Sequence, residues 1–156
     1  MFGEPTKASI LKTVRKGLDK VGMEYEVNDS GNIVLTAMGD DLPIGMVIIN
    51  DDENKSLNFY CHLMFDIPSH AKEMILPELN KLNTLVNNGT FMLVEDETIT
   101  RILFKLVLGY YGSKVTPKQV THLAMLALGT VDRHDAALKS MIPDDAVRSE
   151  KDVMFL

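Results

Sequence analysis

The chain has a single cysteine, Cys61, so no internal disulfide can brace it. Its setting in the apolar run LNFYCHLMF makes it a small buried hydrophobe. No stretch approaches the roughly 20 apolar residues that a membrane-spanning helix needs, and the N-terminus MFGEPTKASILKTVRKG lacks the unbroken apolar core of a secretory signal. Sixteen basic residues stand against twenty-two acidic ones, a formal charge of −6, and no Lys/Arg cluster could neutralise a run of phosphates. These absences predict a cytoplasmic protein that engages neither a membrane nor nucleic acid.

Catalytic patterns are missing too. No pair among His62, His70, His122 and His134 has the spacing of a helical zinc site, and Cys61 has no basic neighbour in sequence. LGYYGSK lacks the spacing and setting of a nucleotide-binding loop, and no serine sits in a nucleophile elbow. The acidic clusters at 39–41, 50–54, 95–97 and 143–145 lack the alternation and fixed glycine of a calcium loop, and read as solvated turns. The expectation is a protein that is not an enzyme, with no catalytic residue, metal or cofactor.

What is present is periodicity. At 156 residues and 46% hydrophobic content the chain suits one domain, expected over 1–142 with a charged tail over 143–156. Ile10, Leu11, Val14, Leu18 and Val21 recur at helical spacing, predicting a first helix from Thr6 to Val21 that ends near Gly22. MEYEV alternates as a strand with one wet face and NDSGN is a turn. IVLTAM, PIGMVIIN and LNFYCHLMF, joined by GDDL and DDENK, complete four antiparallel strands in succession. Ser69 is placed to cap a second helix that stops at Asn88-Gly89, with Pro77 kinking or splitting it.

TFMLV and TITRILFKLVLGYY form a hairpin across EDE, the latter strand long enough to bend or carry a bulge. Thr116, Pro117 and Gln119 then make a capping box, opening a last helix that runs at least to Leu128. From Pro143 the tail is expected to fray, or to dock its apolar end on a neighbour. The fold class is α+β: helix, antiparallel strands, helix, hairpin, helix.

The stretch LPELNKLNTLVNNGTFML places asparagines at helical spacing. At about 100° per residue Ile75, Leu79, Leu82 and Val86 form one narrow line for the sheet, with Asn83 bordering it and Asn80 and Asn87 farther round. Met74 and Leu85 extend the apolar arc, so this helix is oilier than one sheet contact requires. Met74, Asn80, Asn83, Leu85 and Asn87 are therefore a candidate interaction or dimer surface. Three uses of the asparagines stay open: solvation, a hydrogen bond within the subunit, or contact with a partner. A buried unpaired amide would cost about 1–3 kcal/mol.

In the last helix Val120, Ala124, Ala127, Val131, His134, Leu138 and Met141 form a 4-3 pattern if it is unbroken past Gly129. That pattern sets His134 in an apolar seam, either as a core or boundary histidine satisfied by a neighbour such as Asp132 or Asp135 or as a proton-linked switch, and Asp132 and His134 are a candidate regulatory or ligand contact. The ten methionines are mainly core, with the remainder suited to an adaptable surface.

The order of elements, with LNKLN on the second helix, GTFMLVEDETIT as the hairpin and VTPKQV opening a helix that reaches TVDRHDAAL, resembles the YbjN family of bacterial sensory transduction regulators. The fold of that family is similar to that of class I type III secretion chaperones. The resemblance is best from Leu57 to Leu138. It makes Asn80 and Asn83 the family's paired asparagines, Gly89 its glycine before the strand, Thr116 and Pro117 its helix-opening pair, and Asp132 its late acidic position. Pro77 and Gly129 depart from the pattern.

The resemblance implies a homodimer that holds an unidentified protein partner and performs no reaction. The expected function is a noncatalytic protein-interaction or chaperone-like regulatory module. The alternative is a regulatory domain with a small ligand between the last helix and the sheet.

Overall fold

Thr6 opens the first helix, its hydroxyl oxygen accepting the Ser9 amide at 3.1 Å. This helix, α1, spans Lys7–Lys20, and Gly22, at φ +72, turns the chain out of it. The computed structural model describes residues 5–95, 97 and 100–149. Of the expected strand MEYEV only Glu26–Val27 forms, as β1. Tyr25 is drawn back to α1 instead, its hydroxyl donating to Asp19 at 2.8 Å. The Asn28 side-chain oxygen then takes the Ser30 and Asn32 amides at 3.1 and 2.9 Å, which makes the NDSGN turn.

Strands β2 (Ile33–Met38), β3 (Pro43–Asp51) and β4 (Ser56–Leu63) follow as antiparallel neighbours. A short β5 (Phe65–Asp66), a single 3₁₀ turn at Ser69–Ala71 and α2 (Lys72–Asn83) lead to the hairpin β6 (Thr90–Glu95) and β7 (Thr100–Gly109). After them come α3 (Pro117–Arg133), α4 (Asp135–Met141) and β8 (Val147–Arg148). The main sheet is antiparallel in the order β1-β2-β3-β4-β7-β6, and β5 pairs with β8 apart from it. The architecture is the α+β arrangement expected. Among the described residues no helix is long and apolar enough to cross a membrane.

Strand alternation gives the sheet two unlike faces. Ile44, Met46 and Ile48 of β3, Leu57, Phe59 and Cys61 of β4, and Phe104 and Leu106 of β7 share one core with Ile10, Val14 and Leu18 of α1 and Val120, Ala124 and Val131 of α3. Asn58, Tyr60 and His62, with their β7 neighbours Leu103, Lys105 and Val107, lie on the opposite face. The two covering helices cross at Gly17. A Cβ there would lie 2.7 Å from the Pro117 carbonyl oxygen, and Thr121 donates to the Gly17 carbonyl at 3.0 Å. No larger residue fits that crossing.

The capping box stands as expected: Thr116 accepts the Gln119 amide at 3.2 Å, and Gln119 accepts the Thr116 amide at 2.9 Å. Other expectations are corrected. Ser69 does not cap α2; it starts the 3₁₀ turn, and Ala71, with no side-chain acceptor, occupies the cap. Pro77 does not split α2, which is continuous. The amide it lacks would have met the Glu73 carbonyl, and both residues are exposed, so solvent satisfies that acceptor. Neither register of β7 contains a bulge.

The helical seam of α3 does not run on to Met141. It passes Gly129 unbroken and stops at His134, whose φ of −103° and ψ of 15° separate α3 from α4. Nor does the tail fray as far as Ser149. Val147 and Arg148 pair with β5, the Ser149 amide donates to the Met64 carbonyl at 2.9 Å, and His70 Nε2 meets Asp145 at 2.6 Å. The expected docking of the final residues falls on 150–156, outside the described residues.

Candidate functional site

Helix α2 ends at Asn83, not at Asn88-Gly89, and the reason is the Asn83 side chain itself. Its carboxamide faces edge strand β6, where Oδ1 accepts the Phe91 amide at 2.7 Å and Nδ2 donates to the Phe91 carbonyl at 2.9 Å. One side chain thus pairs with an edge residue as a neighbouring strand would. The last turn tightens as it stops, with the Thr84 and Leu85 amides reaching back three residues to Lys81 and Leu82 at 3.1 and 2.9 Å. Gly89 serves the strand instead: at φ +93 it lies against Phe104, where a Cβ would come within 2.3 Å of the ring.

Of the three open uses, Asn83 therefore has the hydrogen bond within the subunit, while Asn80 and Asn87 are exposed. Asn83→Ala would leave both Phe91 backbone groups unmatched in a half-buried setting. It is expected to cost about 2 kcal/mol, whereas Asn80→Ala and Asn87→Ala should stay within about 0.5 kcal/mol. Urea denaturation of the three variants reads the difference, and equal losses would contradict this assignment.

Ile75, Leu79 and Leu82 are sealed in the core as expected, and Val86 packs against it from beyond the helix end. Apolar surface remains on both flanks of that line: Met74 is 76% exposed, Leu76 43% and, past the helix, Leu85 68%. Lys72, at the start of α2, is ion-paired with Glu95 at the end of β6. The helix is thereby fixed along the sheet edge at both its ends.

Asp132 and His134 do not converge on a common site. Asp132 Oδ1 accepts the Asp40 amide at 2.7 Å and so tethers the β2–β3 turn, while the half-buried His134 ring stands edge-on to Phe91 at 6.1 Å between centroids. The tether brings one carboxylate oxygen each from Asp40, Asp132 and Asp135 within 4.8 Å of one another. Asp40, of the GDD turn, is exposed, while Asp132 and Asp135 are half-buried.

A buried polar cluster gives no local signal in the sequence. Arg101 is 0% exposed; its Nε donates to Asp66 at 2.9 Å and its Nη1 donates to His62 Nδ1 at 3.2 Å. Burial, then the Arg101 charge, holds the His62 imidazole down to about 4. Burial likewise pushes the Cys61 thiol up, in keeping with an inert core residue. An arginine in a long strand pattern reads as a solvated position, and only the pairing of β4 with β7 and the return of β5 bring its partners to it.

Helices α1 and α3 crossing on one face of an antiparallel sheet, α2 pinned along the sheet edge and a β8 strap paired with β5 define an α+β fold. The family model YbjN, described as "Putative bacterial sensory transduction regulator", matches residues 11–140, and the chain belongs to that family. Two solved structures share the fold. "Crystal structure of YbjN, a putative transcription regulator from E. coli" is similar at a TM-score of 0.65 and 16% identity, over 82% of this chain and 93% of that one. A chain of "Crystal Structure of the ExsC-ExsE Complex" is similar at 0.55 and 12% identity, over 90% of this chain and 98% of that one. No curated protein matches.

Proposed function

We propose that this chain is a noncatalytic protein-interaction module, homodimeric, that covers the apolar flanks of α2 with protein. The observation that carries this reading is Met74 and Leu76 lying open on either side of a sealed helix line, with Leu85 open just beyond. Surface of this kind, rimmed by Asn80, Lys81 and Asn87, marks a protein contact more often than a catalytic one. The opposite sheet face adds Met38 at 68% and Val107 at 47% exposure, which suits a second contact for a partner segment. A similar fold solved as a two-protein complex supports the same reading.

Met74→Glu with Leu85→Glu changes two exposed positions, so stability should move by no more than about 0.5 kcal/mol for each. In sedimentation at micromolar concentration the unaltered chain should run at twice its 17.4 kDa mass and the double variant as the single chain. A strictly monomeric unaltered chain, or a double variant that still dimerises, would overturn the proposed surface.

A further inference from the structure

The grip of Asn83 on Phe91 also fixes which way the backbone of β7 faces. In an antiparallel ladder the N–H and C=O of one residue point to the same side, and successive residues alternate. Both Phe91 groups turn outward to Asn83, so Phe91 makes no ladder bond to Phe104, and Thr90 bonds to Lys105 instead. By the same alternation Val107 and Gly109 direct their N–H and C=O toward the β6 side. Tyr110 agrees, since its amide turns the other way, to the Lys55 carbonyl just ahead of β4 at 2.8 Å. Yet β6 begins at Thr90, opposite Lys105, and the chain before it swings away at Gly89, φ +93. Among the described residues nothing hydrogen-bonds the Val107 or Gly109 backbone on that side.

Beyond the end of β6 this edge opens into a groove of about 550 Å³, lined by Leu123 and Leu126 of α3 on the helix side and by Val107 and Met92 on the other face of the sheet. Val107 is 47% exposed, and the stretch from Leu106 to Gly109 holds neither the charge nor the proline that guards an open edge. We propose that this groove takes an extended segment of a partner protein as an added strand on β7, in line with β6. The occupant follows from the free groups. Two N–H and two C=O along one edge match another backbone in β conformation, not a compact small molecule. The open stretch is about 14 Å long at about 3.4 Å per residue, room for roughly four residues. Their side chains alternate, one against Leu123 and Leu126 and the next beside Val107, so the segment is apolar on both faces. Lys105, half-buried at the rim, favours an acidic residue flanking it. Val107 aside, the groove shares no residue with the surfaces proposed above, so the sedimentation result on Met74 and Leu85 neither supports nor removes it.

Amide- and methyl-detected NMR titration of the full chain with the peptide acetyl-ETLVTLE-amide tests the assignment. The Val107 and Gly109 amides should shift saturably, together with the Leu123 and Leu126 methyls. Neighbouring N–H groups of a strand point to opposite edges, so N-methylation at the adjacent leucine and valine nitrogens spoils both edges of the peptide. The methylated peptide should bind at least about tenfold more weakly, the worth of two hydrogen bonds. Val107→Pro removes an outward donor that no ladder bond uses, so the fold should hold while binding is abolished. The proposal is overturned by no saturation up to the solubility limit, by the methylated peptide binding as tightly, or by undiminished binding in Val107→Pro. Shifts at Val107 and Gly109 on concentrating the chain alone would seat a second copy in the groove and overturn it too. Should Val107→Pro fail to fold, the two peptides decide alone.

Discussion

Arg101→Ala is expected to lower the free energy of unfolding by about 3 kcal/mol or more, the range for breaking a buried pair and emptying a core position. The guanidinium is fully enclosed and joins three segments: β7, which carries it, β4 through His62, and β5 through Asp66. Truncation removes hydrogen bonds to both partners and opens a cavity of several heavy atoms. Asp66 is 32% exposed at its side chain, so its carboxylate keeps part of its hydration, and the loss should lie nearer 3 than 5 kcal/mol. Arg101→Met fills most of the volume but restores neither bond, so it should lose less than alanine. Arg101→Lys should not rescue fully, because an ammonium lacks the fork that reaches Nδ1 of His62 and the carboxylate together. Urea denaturation followed by circular dichroism orders the three variants. A loss under 1 kcal/mol for Arg101→Ala would show that the buried pair contributes nothing net.

What the sequence discloses and what it conceals divide along the range of the interactions. The line Ile10, Val14, Leu18 is a property of one helix, and the Thr116–Gln119 box closes within one turn, so both are legible without any knowledge of the fold. The end of α2 is not. Residues 84–87 would continue the helical line, yet Asn83 finds its partners on Phe91 of a strand formed later in the chain. Pairing with an edge strand outweighs about one more turn of an exposed helix, and nothing in the residues before position 90 announces it. The break at His134 is of the same kind. The 4-3 pattern is satisfied by Val120 to Val131, after which Leu138 reaches the core from a separate α4 with its amide on the His134 carbonyl at 3.0 Å. Met74 and Leu85 are legible, because excess apolarity is a property of the local sequence, and both are exposed. The burial of Arg101 is not legible, because it depends on where β5 returns to supply Asp66.

That same cluster predicts an acid-sensitive fold. Arginine only donates, so His62 Nδ1 must accept from it, which puts the imidazole proton on Nε2, close over Gly45 where a Cβ would come within 2.3 Å of the ring nitrogen. A second proton would have to enter at Nδ1, facing the guanidinium in a site closed to water. His62 is accordingly held down to about 4 in the folded chain, first by burial and then by Arg101, against about 6.5 when unfolded. The folded value is the lower one, so the unfolded chain takes up the proton first as pH falls. Stability is complete above about pH 6.5, declines between about 6.5 and 4, and loses nothing more through this group below that. At 1.36 kcal/mol per pH unit the total is about 3 kcal/mol. Asp51 and Asp145, both lowered, act in a separate window: they lose their contribution only as pH falls below the ordinary carboxylate range. Urea midpoints between pH 7 and 4.5 should therefore fall steeply for the unaltered chain and shallowly for His62→Gln, which cannot titrate. Parallel slopes for the two would mean that His62 is charged as easily inside the fold as outside it, and that the guanidinium does not enforce its neutral form.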